Sequence, residues 1–495
     1  MKQNSVFCLL LTSILIVSCG KSNPVGPWFG NGIHNGWVDQ SSVVIWTRLT
    51  ENPDLNSSGS PFLKLKPKDR QRLDTLRNRD SIHSAQIPEG LGLEDMEGAC
   101  PGMDGEVRLS YYPEGLEANQ VQVFWKRVNP DKNFTVQWEL EGLQPGTRYR
   151  LLVESRNIGE KRIFTSLDGS FQTAPDRQSI RALKFCVVTC HDYIRRDDSL
   201  GGHRIYQSMD SQNPDFLIHT GDIEYYDKEN PWAMTEELMR FKWDRLFALP
   251  FQRDFYNRHT TYFMKDDHDV LRDDCHPGDW YGTVSFERGL DIFDKEQFPY
   301  KEKPYKTIRW GRDLQIWLME GRNYRTSNHL PDGPDKTIWG KEQKEWLFSS
   351  LKNSNAAFKL VISSTPIIGP DRKAKNDNYS NSGYKTEGDE IRAFINSQKN
   401  VYLVNGDRHW QYVSHPGGTD LWEFSTGAGA DKHAGGWSQE DRRPEHRFLR
   451  VKGGFLTGEV LSNTDEVVLR FTHCDVNGNP VHVEEFNSSI SQFVN

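Results

Sequence analysis

Acidic, histidine and cysteine side chains cluster directly after several apolar runs of this 495-residue sequence. The clusters are, in chain order, Cys190-His191-Asp192, Gly221-Asp222-Ile223-Glu224-Tyr225, Lys265-Asp266-Asp267-His268-Asp269, Gly321-Arg322 and Gly406-Asp407-Arg408-His409. Carboxylates this dense repel one another unless they are protonated, paired or bound to a cation. A thiolate such as that of Cys190 is also a strong ligand for a transition metal. These residues therefore predict a metal cluster.

The apolar runs before these clusters are typical of buried strands. They read "LKFCVVT" (183–189), "DFLIHT" (215–220), "TTYFM" (260–264), "LQIWLME" (314–320), "FKLVISS" (358–364) and "VYLVN" (401–405). Two intervening stretches, "TEELMRFKWDRLFALP" (235–250) and "GKEQKEWLFSSLKN" (340–353), have helical spacing. The pattern predicts an α/β layer architecture with a strand-rich tail. Because such sheets bind ligands at the carboxyl ends of their strands, we expect the clusters to converge at one edge.

The region before residue 176 has a different pattern, of short alternating strands separated by Pro and Gly turns. It predicts a β-sandwich over residues 25–176, and "LQPGTRYRLLVES" resembles the strand corner of fibronectin type III domains. A polar insertion at about 51–104 interrupts it, which we interpret as a long loop with one short helix near "PKDRQRLDTLRN". Residues 181–495 would form the second domain, which carries the polar clusters.

The amino terminus predicts export. "MKQNSVFCLLLTSILIVSCGKSNP" has a basic start, an apolar stretch and a small residue before Cys19, which resembles a bacterial lipobox. Residues 1–19 are then a lipoprotein signal peptide, with lipid on Cys19 and the protein anchored in the cell envelope; a plain signal peptide is the alternative. The net charge of −8, without a basic block, argues against a nucleic-acid partner other than as a substrate.

The ordered set Cys190, "GDIEY", "DDHD" and "GDRH" resembles the PhoD-like alkaline phosphatases of the metallophosphoesterase superfamily. The resemblance extends to "SSVVIWTRL" (41–49), "LQPGTRYRLLVESR", "GRNYRT" (321–326), "GKEQKEWL" (340–347) and "VYLVNGDRHW" (401–410). It covers almost the whole mature chain in order and leaves out mainly residues 51–104. It implies a fibronectin-III-like sandwich followed by an αββα metallophosphoesterase domain.

The resemblance also implies a ligand set. Asp222 would bridge two metal positions, the first completed by Cys190, Tyr225 and His409 and the second by Asp267 and Asp407. Thiolate, phenolate and imidazole ligands suit Fe(III), whereas an all-oxygen site suits one or two Ca(II), the metals that the family implies. The metals would activate an oxide or hydroxide, while His268 protonates the leaving group and Arg322 clamps a phosphoryl oxygen.

Several alternatives stay open at this point. Cys190 could be a structural thiol or pair with Cys186, and Tyr226 could replace Tyr225. His268 could be a satisfied turn histidine, and Arg322 could pair with an acid at a strand end. Two positions depart from the family pattern: His191 stands where Gln is usual, which adds a possible metal ligand or proton carrier, and Asp269 stands where Glu is usual. "DKHAGGW" (431–437) is either a mobile loop over the site or a plain connection.

The function that these features favour is a secreted, lipid-anchored phosphoesterase acting on phosphate mono- or diesters. Two other classes are weighed against it: a non-catalytic surface protein that binds glycan or protein, and a hydrolase of another oxyanion ester such as a sulfate ester. Loss of at least one ligand would be expected in a non-catalytic relative. The complete set argues for the enzyme.

Overall fold

The protein is described here by a computed structural model that covers residues 25–462 and 466–489. The predicted signal peptide, with Cys19, lies outside these residues. Within them no helix combines the length and the apolar character that crossing a bilayer requires. The described chain is a mixed α/β protein in which several β-sheets share one large apolar core.

Residues 25–176 contain eight strands and two α-helices. In chain order these are β1 (Ile33–Gly36), β2 (Val43–Arg48), α1 (Pro67–Leu76), α2 (Arg79–Gln86), β3 (Glu106–Pro113), β4 (Val121–Gln122), β5 (Lys126–Arg127), β6 (Thr135–Leu140), β7 (Arg148–Arg156) and β8 (Thr165–Gln172). Short 3₁₀ turns span Leu93–Asp95, Glu117–Asn119 and Pro130–Lys132.

These strands form two antiparallel sheets, one in the order β1-β2-β6 and one in the order β4-β3-β7-β8 with β5 also paired to β3. Side chains from both, such as Ile45 and Leu151, are buried in the same core, as alternating strands of a sandwich require. At the predicted strand corner, the Tyr149 hydroxyl accepts a hydrogen bond from the Gln144 backbone N–H at 2.8 Å. This is the tyrosine corner found in sandwich domains.

The insertion is more ordered than the predicted long loop: the helix expected near "PKDRQRLDTLRN" is present as α1, and a second helix, α2, was not anticipated. It contains both α1 and α2, and the Asn78 side chain caps α2 by accepting from the Ser81 N–H. Leu73, Ile82 and Met96 are buried in a cluster that also contains side chains from the region after residue 181. The apolar positions of this polar segment are few, but enough to attach it to that cluster.

The rest of the chain contains fifteen described strands and seven described α-helices. They are β9 (Leu183–Val188), α3 (Ile205–Ser211), β10 (Phe216–His219), α4 (Glu236–Phe247), α5 (Pro250–Tyr256), β11 (Thr260–Phe263), α6 (Asp267–Val270), β12 (Trp280–Tyr281), β13 (Val284–Ser285), α7 (Phe286–Asp291), β14 (Lys306–Trp310), β15 (Leu314–Leu318), α8 (Lys341–Lys352), β16 (Phe358–Ser363), α9 (Lys385–Asn396), β17 (Val401–Asn405), β18 (Gln411–Ser414), β19 (Glu423–Thr426), β20 (His446–Arg450), β21 (Gly454–Ser462), β22 (Glu466–Asp475) and β23 (Pro480–Ser489). A π-helical segment spans Ile292–Gln297, and 3₁₀ turns span Tyr193–Arg195, Ser382–Tyr384 and Asp431–His433.

Two large sheets dominate this region. The first has the order β11-β10-β9-β21-β22-β23, and its strands β9, β10 and β11 are parallel. The second has the order β14-β15-β16-β17-β19-β18-β20, with β15, β16, β17 and β19 parallel. The strands predicted from the apolar runs are all present, whereas β14, β18, β19, β20 and helix α9 were not anticipated.

Strand alternation builds four layers. On β9, Phe185 and Val187 point into the core shared by both sheets, whereas Cys186 and Val188 point into a second cluster with helices α3, α4 and α5. On β17, Val404 faces the shared core and Leu403 faces a third cluster with α8 and α9. Helices therefore cover the outer faces of two packed sheets, which is the αββα arrangement that the resemblance implies.

Candidate metal centre

The candidate site lies where the carboxyl ends of β9, β10 and β11 meet that of β17 from the other sheet. Three predicted ligands follow strand ends with left-handed backbone angles: φ is 54° at Cys190, 54° at Asp222 and 62° at Asp407. Residues with side chains adopt this conformation rarely and at a cost, and such positions concentrate at functional sites. The Asp407 N–H donates to Thr189 Oγ1 at 3.3 Å, which joins the two strand ends.

Four predicted ligands of the first metal position lie together. Asp222 Oδ2 accepts hydrogen bonds from the Tyr225 hydroxyl at 3.1 Å and from the Cys190 thiol at 3.5 Å. Tyr225 Oη also lies 3.1 Å from His409 Nε2. One potential ligand atom each of Cys190, Asp222 and His409 lies within 4.8 Å of the others. The structure thus brings together thiol, carboxyl, phenol and imidazole around one point.

Asp222 also belongs to two further groups of potential ligand atoms, each held within 4.8 Å. One contains Asp266 and Asp407, and the other contains Asp267 and His268. Asp267 and Asp407, predicted for the second metal position, therefore both approach Asp222. Asp266 was not predicted, although it stands directly before Asp267 in the sequence.

The buried acids of this cluster fit cations. Burial raises the pKa of Asp222 well above its ordinary value, that of Asp266 to about 8 and that of Asp407 to about 6. Asp222 Oδ1 and Asp266 Oδ2 are buried without a hydrogen-bond partner. A bound cation would give these oxygens a partner and would favour their ionised form.

The other donors fit the same interpretation. Burial raises the pKa of the Cys190 thiol and of the Tyr225 hydroxyl well above their ordinary values, so that neither ionises here without a positive charge nearby. Burial also lowers the pKa of His409 to about 3, which keeps its imidazole in the neutral form that binds metals. Among the described residues, these donors form the mixed sulfur, nitrogen and oxygen set that suits a transition metal.

His268 is held by Asp227, an acid outside the predicted ligand set. Its Nδ1 lies 2.6 Å from Asp227 Oδ1, and its ring lies 4.3 Å from the Tyr225 ring. Burial lowers the pKa of His268, but Asp227, Asp267 and Asp222 raise it well above its ordinary value. No local spacing could have paired the two residues, because 41 positions separate Asp227 from His268.

Arg322 adopts the ion pair that the sequence left as an alternative. Its Nε donates to Asp266 Oδ1 at 2.5 Å, its Nη2 also contacts Asp266, and its Nη1 donates to the Cys275 carbonyl at 3.3 Å. The side chain is 2% exposed, and Asp267 Oδ2 lies 3.8 Å from Nη2. A clamp on phosphate would need a free face of the guanidinium, so this arrangement favours a positioning role instead.

Both departures from the family pattern have local explanations. The Asp269 carboxylate accepts hydrogen bonds from the backbone N–H groups of Asp222, Ile223, Glu224 and Asp266, which ties the "GDIE" turn to the next strand end. His191 is fully buried behind the cluster, with its Nδ1 2.7 Å from His219 Nε2. None of the groups of potential ligands among the described residues contains His191.

The geometry decides two alternatives that the sequence left open: whether Cys190 pairs with Cys186, and whether Tyr225 or Tyr226 is the phenol near the other donors. Cys186 and Cys190 are both unpaired, as are the other three described cysteines, and all five are buried. The Tyr226 hydroxyl accepts from Trp243 Nε1 in the cluster beneath helix α4, away from the donors listed above. Tyr225 is therefore the phenol at the site.

The "DKHAGGW" segment packs against the site. The sequence had left it as either a mobile loop over the site or a plain connection. His433 is 3% exposed, and its Nδ1 donates to the Cys190 carbonyl at 3.1 Å. Its ring lies 4.2 Å from that of His409 and 5.1 Å from that of Tyr225. The Gly435 N–H also donates to the His409 carbonyl at 3.0 Å. This segment thus packs against three of the predicted ligands.

Comparison with known proteins agrees with this architecture. Residues 294–451 match the model of the family described as PhoD-like phosphatase. Alkaline phosphatase D of Bacillus subtilis is 22% identical, over 78% of this chain and 65% of its own length. The chain thus spans about two thirds of that curated relative.

Two solved structures share the fold over nearly the whole chain. A structure of PhoD superposes with a TM-score of 0.68 at 17% identity. The match covers 95% of this chain and 92% of the PhoD chain. A structure of a purple acid phosphatase from yellow lupin seeds superposes with a TM-score of 0.60 at 11% identity. The match covers 96% of this chain and 76% of the lupin chain. The chain therefore has the fold of these two phosphatase structures. The match of residues 294–451 and the curated relative support a PhoD-like phosphatase.

Proposed function

We propose that this chain is a metal-dependent phosphoesterase that hydrolyses phosphate mono- or diesters with Fe(III) and one or two Ca(II). The observation that carries the proposal is the position of Asp222. Its carboxyl group belongs at once to a group with Cys190 and His409 and to a group with Asp266 and Asp407. A carboxylate shared in this way suits a bridge between two cations of different chemistry.

The residues divide between the two cations by donor type. Cys190, Tyr225 and His409 would hold iron together with Asp222, because soft and nitrogen donors select transition metals. Asp267 and Asp407 would hold calcium together with Asp222, and Asp266 would extend this all-oxygen set. When bound, the metals supply Lewis-acid stabilisation of the phosphoryl oxygens and lower the pKa of a water that attacks phosphorus.

The protein's own residues would position and move a proton. Since Asp227 engages Nδ1 of His268, Nε2 is the nitrogen left to protonate the leaving oxygen. Arg322 would act as a positioning residue, because its ion pair holds Asp266 and approaches Asp267 at the metal-facing turn. His433 and Asp269 would fix the two turns that carry Cys190 and Asp222.

A substrate panel tests this function. Metal-replete protein should hydrolyse 4-nitrophenyl phosphate, its bis-ester, or both, and should lose that activity on chelation and regain it when iron and calcium are restored. Hydrolysis of 4-nitrophenyl sulfate but of neither phosphate ester would point to another oxyanion. No bound metal and no hydrolysis of any of the three would favour a non-catalytic binding protein.

The proposal extends to the location and domains of the protein. Residues 25–176 would form a fibronectin-III-like domain, which the Tyr149 corner and the two-sheet arrangement support. Residues 181–495 would form the catalytic domain. The lipobox at Cys19 supports attachment to the membrane in the bacterial cell envelope, either the periplasm or the cell surface.

A further inference from the structure

Large apolar side chains are exposed at one end of the N-terminal sandwich. Phe124 is 91% exposed, Val25 69%, Ile158 50% and Ile163 40%. We call these four residues the end patch. Scattered exposed apolar residues are ordinary on a protein surface, whereas several at one place mark a contact.

Contacts among their neighbours bring the end patch together. Trp125, beside Phe124, lies between the guanidinium groups of Arg108 at 4.8 Å and Arg156 at 4.1 Å. Arg156 is the last residue of β7, and the turn 157–164 that follows it carries Ile158 and Ile163. The same end of the sheet includes β5, because Glu106 of β3 pairs with both Arg127 and Arg156.

The chain enters the sandwich at this place. Phe164, at the end of the turn, packs edge-on against Trp28 at 5.0 Å and covers Gly26. The Ser155 hydroxyl donates to the Pro27 carbonyl. Val25, the first described residue, therefore lies beside the turn that carries Ile158 and Ile163.

Exposed basic side chains outnumber acidic ones beside these apolar groups. Lys126, Arg127, Lys161 and Arg162 are exposed beside Phe124 or within the turn, although Arg127 pairs with Asp104 and the turn also carries the exposed Glu160. The chain as a whole has a net charge of −8, so this basic rim runs against the overall charge. Apolar side chains ringed by Lys and Arg suit the headgroup layer of an anionic membrane.

We propose that the end patch is the surface by which the protein rests on a phospholipid bilayer, an inference that rests on lipid attachment at Cys19. Six residue steps separate Cys19 from Val25, so the chain between them spans at most about 21 Å. A lipid on Cys19 then keeps this end of the sandwich next to the bilayer. The exposed apolar residues enter the headgroup layer, and the basic rim pairs with lipid phosphates.

Site-directed labelling of the full-length lipoprotein tests this contact. All five described cysteines are buried, so a single exposed cysteine can be labelled selectively. A fluorophore is placed at F124C or I163C, with L330C as the matched control, because Leu330 is 49% exposed on another part of the chain. Quenching by iodide is measured in solution and on vesicles of phosphatidylethanolamine and phosphatidylglycerol.

Vesicles should lower the quenching constant at positions 124 and 163 about threefold or more and leave that at position 330 unchanged. The charge reversal K161E with R162E should weaken the shielding on these vesicles but not on phosphatidylcholine. Mass spectrometry of the amino-terminal peptide reports the lipid separately. A lipidated, vesicle-bound protein whose patch labels stay fully quenched would overturn the inference and leave the anchor standing.

The remaining outcomes also decide the question. If vesicles shield the labels of a protein that carries no lipid on Cys19, the end patch is a membrane-binding surface but the lipid anchor is ruled out. Shielding by added envelope proteins but not by vesicles would overturn the membrane assignment. Absence of both lipid and shielding would discard both.

Discussion

Asp222→Asn is expected to lower kcat for phosphate ester hydrolysis by about 10³-fold or more, since it weakens the carboxylate shared by both metal positions. Metal content should fall with it.

The same substitution should not lower the stability of the folded protein when metal is absent. Burial raises the pKa of Asp222, so in the folded metal-free protein its ionisation costs free energy once the pH exceeds the unfolded value. The amide carries no such charge, and metal-free Asp222→Asn should be at least as stable at alkaline pH.

Thermal unfolding with and without metal separates these effects. Metal should raise the Tm of the wild type and have little effect on that of the variant. Asp254→Asn is the matched control, because Asp254 is exposed on helix α5 and should change neither activity nor metal response. A variant that keeps full metal content and activity would contradict the bridging role.

His268→Asn is expected to lower kcat by about 10²–10⁴-fold for an alkyl phosphate, whose alkoxide leaving group needs a proton. The loss should be much smaller for 4-nitrophenyl phosphate, because nitrophenolate leaves without protonation. Asp227→Asn should reproduce the same dependence on leaving group at smaller amplitude, since it keeps the shape but removes the charge next to His268 Nδ1. Steady-state kinetics on the two esters measure both effects.

The controls follow from the geometry around His268. His329→Asn changes an exposed histidine and should leave both rates unaltered. Equal losses for the alkyl and nitrophenyl esters would contradict proton donation and would assign His268 a structural or ligand role. An Asp227→Asn variant with wild-type rates would show that the Asp227 contact does not support catalysis.

Much of the architecture could be predicted because it depends on local pattern. Strands such as β9 and β17 are continuous apolar runs, and the rule that ligands gather at strand ends placed Cys190, Asp222 and Asp407 together. A strand corner at "LQPGTRYRLLVES" was expected from its resemblance to fibronectin type III domains, and the Tyr149 hydrogen bond lies there. Their assignment as metal ligands stays a prediction, although the structure brings them together.

The rest depends on contacts between distant segments. Asp227 meets His268 across 41 positions and His433 meets Cys190 across 243, so neither contact has a local signal. Arg322 was open to two interpretations until its partner Asp266 was placed beside it. The insertion was misjudged because a few buried residues, such as Leu73 and Ile82, are enough to order a polar segment.

The central claim is that Tyr225 and Cys190 bind iron beside Asp222, and the visible spectrum of the purified protein tests it most directly. We predict a tyrosinate-to-iron charge-transfer band that Tyr225→Phe shifts or abolishes. Tyr226→Phe is the control, since its hydroxyl is engaged by Trp243 away from the site. A band unchanged by Tyr225→Phe, or the absence of a band from iron-containing wild-type protein, would contradict this account.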